Sequence, residues 1–391
     1  MDLRPSQQPV ATILAIDMMH NGRAQHHKSR VLDIPTSFSP VYLNSKSLDT
    51  TSDTKHAYGD TSARDGLDSY RVVLRDLRAS QQHFATMPTV SHRSPCSPLC
   101  SVFFPSVGEK RHQSVVGVGV ASDQGIRSSM EDEHVTLVRS DVCFFGVYDG
   151  HGGRQCAEYV RSRLHEITLS HQCLKTAPRK AISDAFVQVE REFLEEGSED
   201  LSSAGCVCAV ALVQGSVLTV GNVGDCEVVL ARAGRPVLLT VKHNPACNDA
   251  EAARVKKAGG CIFNSRVGHP HLNPRVCSLA VSRAVGDAGF KLNEYTYGKP
   301  SGIIAVADTA EVLLVKEDAF LIIACDGLWD TMSYSEAVEL ATEYVASGAD
   351  AKSAADQLVS EALRRGTRDN VTVIFVQLGE LPQTELCEAE K

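Results

Sequence analysis

Three aspartates stand where strand-like runs begin or end. Residues 320–325 (Phe-Leu-Ile-Ile-Ala-Cys) form an apolar run of the right length for a buried strand, and it stops on Asp326-Gly327, with a second carboxylate at Asp330. Residues 142–148 run straight into Asp149-Gly150-His151-Gly152-Gly153, and Arg368-Asp369-Asn370 precedes the apolar run 371–378. A carboxylate at the edge of a buried strand is costly unless a cation or a basic partner neutralises it. Three such placements suggest one shared acidic site, to which Glu131 and Asp132 would add two more carboxylates. So many acids in one place repel unless cations sit between them. An all-oxygen set suits Mg²⁺ or Mn²⁺, and no Cys/His cluster has the spacing of a Zn²⁺ site. Two such ions about 3.5–4 Å apart are the arrangement that cleaves phosphate esters. Taken singly, each signal also has an ordinary reading: Asp-Gly is a common turn, and Glu131-Asp132 a common solvated edge.

The elements that must bring these residues together lie between residues 114 and 378. Strand-like runs cover 115–121, 134–138 and 142–148, followed by two amphipathic stretches at 154–171 and 178–196 with apolar residues at helical spacing. Strands resume at 206–213, 217–222, 227–231 and 237–239; the breaks at Gln214-Gly215-Ser216 and at Gly224-Asp225 read as hairpin turns. A helix over 249–258 ends at Gly259-Gly260, and 264–274 reads as an irregular surface excursion rich in Pro, His and Gly. Strands are expected at 276–281, 312–315 and 320–325, helices at 335–347 and 351–364, and a closing strand at 371–378. Blocks of strands alternating with blocks of helices indicate an α+β sandwich rather than an alternating parallel fold.

The preceding residues, 1–113, have a different texture. They are rich in Ser, Thr, Gln, His and Arg, with Ser-Pro steps at Ser39, Ser94 and Ser97 and one stretch of helical periodicity over 65–82. Such an arm reads either as regulatory or as a tail without a defined role. The chain carries a formal net charge of −9, and because the arm is slightly basic the acidity belongs to the remainder. That balance argues against a nucleic-acid partner. No run approaches the ~20 apolar residues of a membrane-spanning helix. The opening residues lack a signal-peptide pattern, and Asp2 excludes N-myristoylation for this start. The 13 cysteines are scattered without CxxC pairs, as in a reducing compartment. The expected location is intracellular, cytoplasmic or nuclear.

In their order and surroundings these residues resemble the metal-dependent protein Ser/Thr phosphatases of the 2C type. The likeness runs from about residue 114 to 378. It is carried by Gly125-Ile126-Arg127-Ser128-Ser129-Met130-Glu131-Asp132, Val147-Tyr148-Asp149-Gly150-His151-Gly152-Gly153 and Asn222-Val223-Gly224-Asp225. The run from Leu279 through Ser282-Arg283 to Gly286-Asp287, then Ala324-Cys325-Asp326-Gly327-Leu328-Trp329-Asp330 and Arg368-Asp369-Asn370-Val371, complete it.

The resemblance implies a four-layer α-β-β-α sandwich with two central antiparallel sheets. The catalytic domain would cover 114–379, flanked by the extension 1–113 and an acidic tail 380–391. It also implies a monomer acting on phosphorylated protein substrates with two Mg²⁺ or Mn²⁺ ions. Carried over by position, Asp149 would bridge both ions with the Gly150 carbonyl as a further ligand. Asp326 and Asp369 would hold one ion, Glu131 would serve the other directly or through water, and Asp132 would act through bound waters. Arg127 would bind the phosphate. His151 would protonate the leaving group, although it also reads as a cap for the following turn. Asp225 and Asp330 match positions that take a weaker third metal in the family, and a structural turn role is open for each. The implied mechanism is in-line attack by a hydroxide bridging the two metals, without a phosphoenzyme.

The chain departs from the family at two places. Gly205-Cys206-Val207-Cys208 stands where Gly-Ser-Thr-Ala is usual, and Lys242-His243-Asn244-Pro245 where Asp-His-Lys-Pro is usual, so that a base replaces an acid. Two other readings stand beside the phosphatase: an inactive relative serving as a scaffold, and an enzyme acting on small phosphate esters. A scaffold would be free to lose Asp149, Asp326, Asp369 or Arg127, and all four are present.

Overall fold

The structure is a computed structural model that describes residues 114–196 and 203–379. The arm 1–113, with its expected helix over 65–82, and the acidic tail lie outside the described residues. Among the described residues no helix is long and apolar enough to cross a membrane.

Two antiparallel sheets form the centre. One has the order β1 (Val115–Asp123), β14 (Val371–Leu378), β13 (Asp318–Ala324), β6 (Glu227–Arg232) and β7 (Arg235–Leu238). The other has the order β12 (Asp308–Leu313), β5 (Val217–Val223), β4 (Gly205–Gln214), β3 (Cys143–His151) and β2 (Asp132–Val138), with β11 (Val285–Gly286) attached to β4. The near-continuous apolar texture of these strands follows from burial on both faces. On β3, Phe145 and Val147 point between the sheets to meet Ala209, Leu230, Ile323 and Ile374. The alternate residues Phe144 and Tyr148 point outward against helices α1 (Gln155–Ser170) and α2 (Pro178–Glu196), through Val160, Leu164, Phe186 and Val189. On the opposite side, Phe320, Ile322 and Phe375 meet the later helices α7 (Tyr334–Ala346) and α8 (Ala351–Arg364) through Val338, Ala341, Ala355 and Leu358. The period of two in each strand thus fills an inner and an outer core at once, each fully buried large side chain contributing about 1.5–3 kcal/mol. The result is the α-β-β-α sandwich.

The helix termini are chemically specified. Ser333 and Glu336 form a reciprocal capping box at the start of α7, and the Asp350 carboxylate accepts from the Ser353 amide at the start of α8. Asn248 caps helix α3 (Asp249–Lys257) in the same way. Beyond it lie the short helices α4 (Ala288–Lys291), α5 (Asn293–Thr296) and α6 (Asp326–Trp329).

Three differences from the sequence expectation matter for the site. First, β3 does not end before Asp149: pairing with β4 continues through Gly150 opposite Cys206 and His151 opposite Gly205, so both acid and histidine are on the strand. Gly150 permits this, because a Cβ there would stand 2.6 Å from the Glu131 carbonyl oxygen that its own amide contacts at 3.2 Å. Second, Gly224-Asp225 is not a hairpin turn. β5 pairs with β4 and β12, whereas β6 pairs with β13 and β7, so the chain crosses from one sheet to the other at Asp225. Third, residues 264–274 are not simply irregular. β8 (Cys261–Phe263), β9 (Arg266–Gly268) and β10 (Ser278–Leu279) make a small sheet, turned by Asn264 and Ser265 at positive φ, and the expected strand 276–281 contributes only its middle.

Candidate metal centre

The two sheets meet at one rim, and each contributes carboxylates there. Asp132 at the start of β2 lies directly opposite Asp149 on β3. Like charges in that register destabilise a sheet unless something offsets them. From the other sheet, Asp326 opens α6 just after β13, and Asp369 precedes β14. Asp132 is buried, and burial pushes its carboxyl up to about 6 against the hydrogen bonds from Thr372 and Cys325. Asp149 is held well above the usual carboxylate range by burial, then by the charges of Asp132, Asp326, Asp225 and Asp369. Asp326 is raised in the same way, by burial first and then by Asp225, Asp369 and Asp330.

The donor chemistry fits a hard divalent cation. Asp132 Oδ1 and Asp326 Oδ1 are buried without a hydrogen-bond partner, an arrangement that is costly unless a counter-charge enters. One ligand atom each from Asp132, Asp149 and Cys325 can be chosen within 4.8 Å of one another. Cys325 is not a convincing member of the set. Its Sγ donates to Asp132 Oδ2 at 3.2 Å, and burial together with the neighbouring acids keeps it a neutral thiol.

Glu131 and Arg127 come to the same rim from the loop before β2. Asn370 fixes that loop: its Oδ1 accepts from the Glu131 amide at 2.8 Å, and its Nδ2 donates to the carbonyls of Gln124 at 2.9 Å and Ser129 at 3.0 Å. The Glu131 carboxylate accepts from the Ser129 hydroxyl at 2.9 Å and from the Gly153 amide at 3.4 Å. Arg127 Nη2 donates to Asp369 Oδ2 at 2.5 Å, and its Nε to the Arg368 carbonyl at 3.2 Å. The Arg127 side chain remains more than a third exposed.

His151 has a partner that spacing did not single out. Its Nε2 lies 3.0 Å from both oxygens of Asp287, which is almost completely buried. Burial works against a charged imidazole, but the Asp287 carboxylate more than offsets it and raises the His151 pKa. Asp287 sits just after β11 in a left-handed conformation, its amide donating to the Ala204 carbonyl at 2.8 Å. The only sequence signal for it was its place at the end of the 279–287 motif. Asn370 likewise appeared only as the companion of Asp369.

Asp225 is buried at the sheet crossover, whereas the Asp330 side chain is largely exposed at the end of α6. Lys242 Nζ lies 3.5 Å from Asp330 Oδ1, and its amine pKa is raised: burial opposes the charge, but Glu227, Asp225, Asp330 and Asp326 favour it. The other departure, Cys206 and Cys208, is wholly buried against the α1–α2 layer, with the two sulfurs 3.6 Å apart, so it is accommodated in the core beneath the site. In the small-sheet region, His269 Nε2 meets the Gly289 carbonyl at 2.9 Å and His271 Nε2 the Thr296 carbonyl at 2.5 Å, which ties these histidines to local structure.

The chain is similar to known proteins in sequence and in fold. The family model for Protein phosphatase 2C matches residues 116–371. Probable protein phosphatase 2C 27 of Arabidopsis thaliana is 34% identical over 291 residues, covering 71% of this chain and 73% of its own. Probable protein phosphatase 2C 27 of Oryza sativa subsp. japonica is 33% identical over 298 residues, covering 72% and 80%. Among solved structures, the crystal structure of serine-threonine phosphatase 2C from Toxoplasma gondii superposes with a TM-score of 0.57 at 22% identity, over 67% of this chain and 94% of that one. At that identity the likeness is one of fold.

Proposed function

Since the chain belongs to the protein phosphatase 2C family, we propose that it hydrolyses phosphoserine and phosphothreonine esters of phosphorylated proteins, using Mg²⁺ or Mn²⁺ held at the rim where its two sheets meet. One observation carries this reading: a buried cluster of mutually repelling aspartates, with Asp132 Oδ1 and Asp326 Oδ1 left without partners. Asp149 would be the central ligand of the ions, with the Gly150 carbonyl as a further ligand. Asp326 and Asp369 would hold one ion, Glu131 would serve the other directly or through water, and Asp132 would act through bound waters. When bound, the ions would supply Lewis-acid polarisation of the phosphoryl oxygens and a lowered pKa for the attacking water.

The remaining work falls to side chains of the chain itself. Arg127 would bind the phosphoryl group through its planar fork, with Asp369 and the Arg368 carbonyl fixing the approach of the guanidinium. Asn370 would keep the Gln124–Glu131 loop in place by tying both of its ends to the start of β14. His151 would donate a proton to the departing seryl or threonyl oxygen, a poor leaving group as an alkoxide. With Nε2 engaged by Asp287, Nδ1 would be the nitrogen that passes that proton. A thiol nucleophile has no support, because Cys325 is buried, protonated and committed to Asp132.

The test is hydrolysis of a phosphothreonine peptide by purified protein with added Mn²⁺ or Mg²⁺. Activity should vanish in EDTA, return when metal is restored, and fall at least about a hundredfold in Asp326→Asn. Undiminished turnover in EDTA would refute the metal-dependent reading. Turnover of small phosphate esters without the phosphopeptide would redirect the substrate class.

A further inference from the structure

Behind the paired aspartates lies a second acidic pocket, and it already contains a positive charge. Asp225 stands at the crossover between the sheets, Glu227 opens β6 two residues later, and Asp330 closes the turn begun by Asp326. Glu227 is fully buried and Asp225 nearly so. Lys242, on the segment leaving β7, places its Nζ 3.5 Å from Asp330 Oδ1 and 3.8 Å from Glu227 Oε1. Neutral donors meet the oxygens that face elsewhere. The Tyr334 hydroxyl donates to Glu227 Oε2 at 2.7 Å, and Asn244 Nδ2 approaches Asp225 Oδ2 at 3.4 Å.

Both Lys242 and Asn244 belong to the segment Lys242-His243-Asn244-Pro245, where the resembled pattern has an acid in place of Lys242. The segment is rigidly seated. His243 is buried, its Nδ1 accepting from the Gly224 amide at 3.0 Å and its Nε2 lying 3.0 Å from Asp308 Oδ2. The backbone of Lys242 is thereby fixed beside these acids, and its ammonium reaches Asp330 and Glu227 from there. A divalent ion entering between Asp225 and Asp330 would face an ammonium at ion-pair distance from one of its own ligands. Repulsion between cations in a partly buried site is poorly screened.

We infer that the Lys242 ammonium is the resident cation of this pocket and takes the place of a third divalent metal, so that the chain holds two metals rather than three. The inference rests on the metal centre proposed above, and metal counting separates the two. The full chain is dialysed to equilibrium against increasing Mn²⁺ alone, and bound Mn²⁺ is counted per chain. The wild type should saturate at two. Lys242→Asp should gain a third, weaker ion, and adding Asp330→Asn to that variant should remove it again. A wild-type count of three that falls to two in Asp330→Asn overturns the inference while leaving the metal centre standing. So does a count that stays at two in a folded Lys242→Asp. A wild type that binds no Mn²⁺ overturns the metal centre and the inference with it.

A second measurement covers the case in which Lys242→Asp fails to fold. Lys242→Met keeps the aliphatic stem and removes the charge. In EDTA it should unfold several degrees below the wild type, because Glu227 and Asp330 lose their counter-ion, and Mn²⁺ should raise its midpoint by more than it raises that of the wild type. Equal midpoints in EDTA together with equal shifts in Mn²⁺ would show that Lys242 is not the cation of this pocket.

Discussion

A Cβ placed on Gly205 would lie 2.3 Å from His151 Nε2 and 2.4 Å from Asp287 Oδ2, far inside any real contact. The His151–Asp287 pair therefore depends on a residue without a side chain on the neighbouring strand, where Gly205 faces His151 in register. Gly205→Ala should push the two groups apart without unfolding the sandwich, since the collision is with side chains at the rim rather than with the core. Loss of a positioned proton donor is worth about 10²–10⁴ in rate. Turnover should drop into that range with KM and the circular dichroism spectrum little changed, and a variant with wild-type turnover would show that the pair is not needed. His151 was legible in the sequence because it stands two residues from Asp149. Asp287 was not, because only the pairing of β11 with β4 brings it to the histidine.

Among the elements, helix α3 is tied to the sandwich by charge more than by apolar packing. Its buried residues are Glu251 and Val255. The Glu251 carboxylate meets Arg283 at 2.8 Å, Arg254 at 2.9 Å and the Ser282 hydroxyl at 2.6 Å, and Arg283 continues to Asp308 at 3.1 Å. Burial alone would raise the Glu251 carboxyl, but the two guanidinium groups and the hydroxyl hold it well below its ordinary value. A depressed folded-state pKa adds stability above the unfolded value, here about 4.5, and that stability is lost as the pH falls toward the folded value. Chemical denaturation below that pH should thus show a steep acid limb in the wild type. Glu251→Gln should flatten the limb and, by removing one of the two carboxylates that pair with Arg283, cost about 1–3 kcal/mol at neutral pH. An unchanged acid limb in the variant would remove Glu251 from the network. The helix itself was readable from its Gly-Gly stop, but its partners were not. The same limit explains the crossover at Gly224-Asp225. A Gly-Asp break between two apolar runs has the local chemistry of a hairpin, and only the pairing of β6 with β13 and of β5 with β12 assigns the two strands to different sheets.

For the molecule as a whole, the acidic rim is a weakness that metal should convert into a clamp. Asp132 and Asp149 belong to one sheet, and Asp326 and Asp369 extend from the other, so their repulsion acts across the inter-sheet core that holds the sandwich together. The carboxylates themselves were legible in the sequence as strand-edge acids, whereas their division between two sheets was not, since it depends on which strands pair. Without metal, neutralising one of them should help the fold. Asp326→Asn removes a charge that burial and three other acids disfavour and gives its partnerless oxygen's site a group that needs no counter-ion. In EDTA this variant should be more stable than the wild type by about 1–3 kcal/mol. With Mn²⁺ the order should reverse. An ion that binds only the folded state adds RT ln(1 + [Mn²⁺]/Kd), about 2.7 kcal/mol at a hundredfold excess over Kd. The variant lacks a ligand and should gain little. Calorimetric midpoints for both proteins, in EDTA and in saturating Mn²⁺, measure both differences. A crossover in the order of stability would mark the rim as strain retained for metal binding. If Asp326→Asn is instead the less stable protein in EDTA, the carboxylate serves the apo fold, and the acids at the rim are structural.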